Sequence, residues 1–170
     1  MKKFIQQGLI FSLLIFIGCG YRPSTEYTSN ILGDKIETSV DISVKNPTDS
    51  VFLKDALNEA VLSVFNSKVT SKNANSKIRL KVNSVGVSTL DYDENGYAIL
   101  YRANASITAY VTDKNDTTSS YNGSGSYDFL VNSNANVSDD IKHNAIKEAF
   151  LKALQIIEFK IANRGMSNDN

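Results

Sequence analysis

The sequence predicts an α+β fold: a four-stranded mixed sheet with two helices packed on one face, in the order β-α-β-β-β-α. Three observations carry that expectation. Four stretches alternate apolar and polar residues, two others repeat apolar residues at helical spacing, and an Asn-Gly pair joins two of the alternating stretches. Grouping helices on one side of a partly antiparallel sheet buries both kinds of apolar face in one core.

The first strand starts at Ile36. Ile36, Thr38, Val40, Ile42 and Val44 share one face, while Glu37, Ser39, Asp41, Ser43 and Lys45 share the other. Asn46-Pro47 ends it. Asp49 or Ser50 is placed to cap the next helix, because either side-chain oxygen can accept a bond from free first-turn amides. Leu53, Ala56, Leu57, Ala60, Val61, Val64 and Phe65 make its apolar stripe. Ser67 to Lys77 is polar and reads as a loop.

A second strand runs from Ile78 to Leu90, with a change of apolar phase between Val82 and Val85 that predicts a bulge near Asn83-Ser84. If it lies parallel to the first, the crossover between them is expected to be right-handed. Asn95-Gly96 predicts a type I′ hairpin, since both residues tolerate positive φ. The third strand alternates from Tyr97 through Ile99, Tyr101, Ala103, Ala105, Ile107 and Ala109 to Val111, and Asp113 to Thr117 turns the chain again. The fourth alternates through Tyr121, Gly123, Gly125, Tyr127, Phe129 and Val131. Two glycines on an apolar face predict that something bulky lies close over them.

Ser138, Asp139 and Asp140 open the last helix, with the acids at the positive end of its dipole. Ile146, Phe150, Leu154, Ile157 and Ile161 line its core face beside Ala145, Ala149 and Ala153. Gly165 fits a C-terminal cap. The expected domain is therefore 35–165, followed by a disordered tail over 166–170.

The first residues have a different character. Lys2 and Lys3 precede an apolar run from Leu9 to Ile17, which Gly18-Cys19 closes. That layout is an export signal, and the run is too short to remain as a membrane span. Ending at Gly18-Cys19, it resembles a bacterial lipoprotein signal. In that chemistry residues 1–18 are removed, and the Cys19 thiol and the new amino terminus are acylated. One fatty chain anchors marginally, at about 0.8 kcal/mol per buried CH₂, whereas two or more anchor stably. Residues 19–34 then form a lipidated tether.

The chain has 18 basic and 18 acidic residues; losing Lys2 and Lys3 with the signal leaves 16 against 18, a net charge of −2. A near-neutral protein has no global field to recruit nucleic acid. Cys19 is the only cysteine, so stability must rest on the apolar core instead of on disulfides.

Little in the sequence points to catalysis. Asp91-Tyr92-Asp93-Glu94-Asn95-Gly96 matches the opening of a calcium loop, but its twelfth position is Arg102 instead of a bidentate Glu, and strands flank it instead of helices. His143 is the sole histidine, so the sequence offers no second histidine to share a metal and no motif that sets it beside a nucleophile. Phosphate-cradling, nucleophile-elbow and metalloprotease motifs are missing. No metal and no cofactor beyond the covalent lipid on Cys19 is expected.

Two local features stand out. Lys77, Arg79 and Lys81 alternate with Ile78, Leu80 and Val82 and should project as a basic row from one strand face. Such a row can hold phosphate or carboxylate groups, or simply discourage edge pairing. Asp113-Lys114-Asn115-Asp116-Thr117 carries the N-x-[ST] core with an acid two places before it, which resembles the extended acceptor of bacterial N-glycosylation.

The ordered combination resembles the lipopolysaccharide-assembly lipoprotein family, LptE. It rests on Cys19-Gly20-Tyr21, Lys54-Asp55-Ala56-Leu57-Asn58-Glu59-Ala60, Asn95-Gly96-Tyr97-Ala98-Ile99-Leu100-Tyr101-Arg102 and the strand–helix order. The resemblance implies a non-catalytic lipoprotein, anchored in the outer membrane and facing the periplasm. It also implies a partner, a β-barrel lipopolysaccharide exporter that the protein plugs and helps to assemble, and contact between basic residues and the glycolipid. Here the Asp91–Gly96 tip is acidic and the Asn132–Asn136 loop has no base, so the Lys77, Arg79 and Lys81 row is the candidate glycolipid contact. The alternative reading is an unrelated lipoprotein adaptor or pilot protein for another outer-membrane complex.

Overall fold

In the computed structural model, residues 28, 31–33, 35–41, 47–65, 68–70, 72–132 and 137–168 are described. The export signal, Cys19, Ile42, Val44 and residues 133–136 lie outside them. The elements are β1 (Lys35–Asp41), α1 (Pro47–Phe65), β2 (Lys68–Val69), β3 (Ser76–Tyr92), β4 (Ala98–Thr112), β5 (Thr118–Leu130) and α2 (Asp139–Asn168). The four expected strands and both helices occur in the expected order. The short β2, inside the segment expected as loop, adds a fifth member, and the sheet order is β2-β1-β3-β4-β5.

The β1–β3 pair is parallel, and β3–β4–β5 are antiparallel. A register shift between Val82 and Ser84 confirms the expected bulge. Backbone bonds hold the segment after α1 to β1: Thr70 N–H donates to the Ile36 carbonyl at 3.0 Å on the β2 side, and Asn75 N–H, just before β3, donates to that of Lys35 at 2.8 Å.

One sheet face and both helices enclose the core. Ile36, Ile78, Leu80, Ala103, Ile107 and Ala109 from the sheet meet Leu57 and Val61 of α1 and Phe150, Leu154, Ile157 and Ile161 of α2, all buried. Each large apolar side chain buried this way contributes about 1.5–3 kcal/mol. Leu32, assigned to the tether by sequence, is also fully buried, and its carbonyl accepts the Ser76 hydroxyl at 2.6 Å. Packing thus begins before Lys35. Among the described residues no helix is long and apolar enough to cross a membrane.

Three local expectations are corrected. The Asn95-Gly96 hairpin is not type I′: Asn95 has no positive φ, and Gly96 alone in that turn has one, at 82°. Gly96 N–H donates to the Asp93 carbonyl at 3.0 Å, and Asp93 Oδ1 accepts from the Asn95 and Tyr97 amides at 2.9 and 2.8 Å. The aspartate side chain thereby holds a type I arrangement that a left-handed residue closes. Helix α1 begins at Pro47, which fits a first-turn position because it lacks an N–H, so Asp49 and Ser50 lie inside the helix instead of capping it. Helix α2 continues through Gly165 to Asn168, because Gly165 does not take the left-handed conformation of a cap. At its other end Ser138 Oγ accepts the Ile141 amide at 3.3 Å, as an N-cap should.

The glycines of β5 admit the helix backbone itself. A Cβ on Gly123 would collide with the Ala153 carbonyl and lie 2.9 Å from Ile157 Cγ1; on Gly125 it would strike the Ala149 carbonyl and lie 2.7 Å from Ala153 N. What lies over the glycines is the small-residue face of α2, close because Ala149 and Ala153 are small. Overpacking of this kind costs about 1–3 kcal/mol. Gly123→Ala and Gly125→Ala are expected to lose that much stability in urea unfolding. Gly86→Ala, where nothing lies within 4 Å, should change it by less than about 0.5 kcal/mol. Equal effects at all three positions would show that the seam does not matter.

Candidate functional site

With both helices on one side, the other sheet face is open, and strand register decides which side chains meet there. Lys77 stands between Glu37 and Thr112, Arg79 between Ser39 and Tyr110, and Lys81 between Asp41 and Thr108. The three basic residues are exposed and share this face, as expected. Their neighbours were not legible from spacing. Lys77 Nζ pairs with Glu37 Oε2 at 3.6 Å, with both side chains well solvated. The Arg79 guanidinium lies 4.7 Å from the centre of the Tyr110 ring, a cation–π contact that holds it over the ring. Glu37, Ser39, Lys77, Arg79, Tyr110 and the hydrogen-bonded Thr112–Thr118 pair line a shallow cleft of about 310 Å³.

Next to the row the face turns neutral and polar. Asn83 Nδ2 donates to Thr108 Oγ1 at 2.9 Å, and Thr108 Oγ1 donates to Asn122 Oδ1 at 2.8 Å, one chain of bonds across three strands. Beyond it Arg102 grips Asp128 through two bonds of 2.6 and 2.7 Å. That hydrogen bond, with the charge behind it, holds the Asp128 carboxyl below its usual range and raises Arg102. At the far end, beside the Asp93 hairpin, register brings Leu100 opposite Leu130, and Leu90, Tyr92 and Leu130 are exposed. The face therefore runs from a basic row flanked by Glu37 and Asp41, through Ser/Thr/Asn and the Arg102–Asp128 pair, to an apolar end.

The β5 edge is closed to further strands by α2. Lys152 Nζ donates to the Ser126 carbonyl and Lys160 Nζ to the Asn122 carbonyl, each at 2.8 Å. Arg164 donates to the Ser119 hydroxyl and, at 3.3 Å, to Tyr121 Oη. Cations laid along outward carbonyls are a recognised way to blunt a sheet edge.

Other expected positions are dispersed. Asn115 sits in the β4–β5 turn, at the same end of the sheet as Lys77. His143 is half-buried in α2, away from the basic row. In the calcium-like segment, Asp91 Oδ1 and Asp93 Oδ1 accept backbone amides, and among the described residues no group of His, Cys, Asp and Glu is disposed to hold a metal.

Because Asp128 has a lowered folded-state pKa, its stabilising contribution is present above the unfolded value, near 3.8, and fades as pH falls through the depressed one. Asp128→Asn should lower the melting temperature at pH 7, and its difference from the unaltered protein should close below pH 3.8. A difference that persists undiminished in acid would point to packing instead of charge.

Comparison with known proteins adds a family. The LptE model, described as lipopolysaccharide-assembly, matches residues 38–160. No curated protein matches. Among solved structures, a candidate lipoprotein from Caulobacter crescentus CB15 is similar at 15% identity, covering 86% of this chain and 97% of its own, with a TM-score of 0.53. Rare lipoprotein B from Shewanella oneidensis is 15% identical over 79% of this chain and 92% of its own, with a TM-score of 0.39. An uncharacterised lipoprotein B from Nitrosomonas europaea is 12% identical over 79% and 88%, with a TM-score of 0.45. At such identities the Caulobacter likeness speaks to the fold alone.

Proposed function

Since this chain belongs to the LptE family of lipopolysaccharide-assembly proteins, we propose that it is a non-catalytic, lipid-anchored subunit of the lipopolysaccharide translocon. In this reading Cys19 carries the lipid and the domain faces the periplasm from the outer membrane. Its open sheet face seats against a β-barrel exporter, which it plugs and helps to assemble, and with which it delivers lipopolysaccharide to the outer leaflet. The observation that carries the reading is the extent of the family match. It runs from within β1 to within α2, so it takes in every element between them and most of the core.

The open face supports the partner. A surface of Ser, Thr and Asn with exposed Leu90, Tyr92 and Leu130 at one end has the mixture of a wet interface with a local apolar anchor. The basic row supports the glycolipid. Phosphate groups on an anionic sugar head match a guanidinium already held over Tyr110, with Lys77 and Lys81 on either side. The row also lies where the chain from Cys19 enters the domain, since Ile36 pairs with Ser76. From Cys19 to Leu32, which is already packed in the core, the chain reaches at most about 45 Å, which bounds the distance between the proposed lipid and the end of the sheet where the chain enters.

The test is affinity capture of the tagged, lipidated protein from solubilised outer membranes, followed by mass spectrometry. A stoichiometric lipopolysaccharide-exporting barrel is expected; recovery of another complex instead would assign the protein an adaptor or pilot role. Cys19→Ala should leave the membrane fraction. Arg79→Glu should weaken binding of purified lipopolysaccharide about tenfold or more, the loss of one charge-assisted contact. Unchanged affinity would remove the basic row from the account.

A further inference from the structure

We propose that Asn115 is an acceptor site for an N-linked oligosaccharide. The sequence holds four Asn-x-Ser/Thr triplets without proline, at Asn104, Asn115, Asn122 and Asn136. Two places before them stand Arg102, Asp113, Ser120 and Asn134, so Asn115 alone carries the acid that the bacterial form of the signal requires.

The fold separates three of the four by access; Asn136 lies outside the described residues. Asn104 and Asn122 lie within β4 and β5, and Asn122 Oδ1 is already engaged by Thr108. Asn115 is at a hairpin tip, where Lys114, Asn115, Asp116 and Thr117 are all exposed. The tip is held by few bonds: Asp113 N–H to the Thr117 carbonyl at 3.1 Å, Asp116 N–H to the Asp113 carbonyl at 3.0 Å, and Asp113 Oδ1 accepting the Asn115 and Thr117 amides at 2.8 and 3.0 Å. Asp116 completes the turn at φ 58°. A tip of this kind opens locally at little cost, because no core side chain moves with it. Opening frees the Asp113 carboxylate together with the Asn115 amide and the Thr117 hydroxyl, the three groups a transferase must read.

The co-reactant is a lipid-linked pyrophosphate oligosaccharide. Asn115 Nδ2 forms a bond to the anomeric carbon and gives up one proton. The bond from that carbon to the pyrophosphate oxygen breaks, and the lipid pyrophosphate leaves with the electron pair. Nothing is oxidised or reduced. The inference needs export of the chain and does not depend on the barrel partner.

The experiment expresses the full chain, with its own leader, in cells that make such a donor and a bacterial oligosaccharyltransferase of the acid-reading class. A known acceptor protein in the same cells is the positive control. Intact-mass and glycopeptide spectrometry should find one oligosaccharide, on the peptide bearing Asn115. It should be lost in Asn115→Gln and Thr117→Ala and retained in Thr117→Ser and Asp113→Glu. Melting temperatures of the four variants separate loss of the signal from loss of the fold. An unmodified chain beside a modified control would overturn the proposal, as would a glycan that survives Asn115→Gln.

Discussion

The close seam between α2 and β5 is the constraint on which the other features depend. Gly123 and Gly125 withdraw side chains from the sheet just where Ala149 and Ala153 present the helix backbone. With the helix that near, Phe150, Leu154, Ile157 and Ile161 reach the sheet's apolar residues, and α1 finds its main partner in α2. Close-packed interiors do not yield to an added methyl group without a shift elsewhere. The same approach lays Lys152 and Lys160 along the β5 carbonyls. One packing decision thus builds the core, blunts an edge and commits the opposite face to solvent or a partner.

That opposite face is polarised along its length. β4 has 15 residues, so at about 3.3 Å per residue its two ends lie about 50 Å apart. The entry of the chain, the basic row and the Asn115 turn cluster at one end; exposed Leu90, Tyr92 and Leu130 gather at the other. In the proposed reading, with the lipid on Cys19, the basic row lies at the end where the chain enters and the exposed apolar side chains at the other. The order suits a subunit that meets an anionic glycolipid at one end and a protein wall along the rest.

Periodicity is enough to read β1, β3, β4, β5, both helices and most of the core, because alternation and helical spacing are properties of single segments; the two-residue β2 and the buried Leu32 are too short or isolated to show a period. It located the bulge near Asn83-Ser84 and placed Lys77, Arg79 and Lys81 on one face for the same reason. Tyr110 beneath Arg79, the Asn83–Thr108–Asn122 chain and the Arg102–Asp128 grip were not legible, since each depends on register between strands. The turn type was misjudged because Asp93 supplies side-chain bonds that outweigh the preference of Asn95 for positive φ. The cap at Gly165 failed because a glycine can also lie buried within a helix end.

The most direct measurement is site-specific photocrosslinking of the full-length protein in native outer membranes, with the reactive group at Asn104 or Leu130 on the open face, or at Gln155 on the exposed side of α2. The account predicts one large barrel protein captured from Asn104 and Leu130 and none from Gln155. Capture from Gln155 alone would contradict it, placing the helices, and not the open sheet face, against the partner.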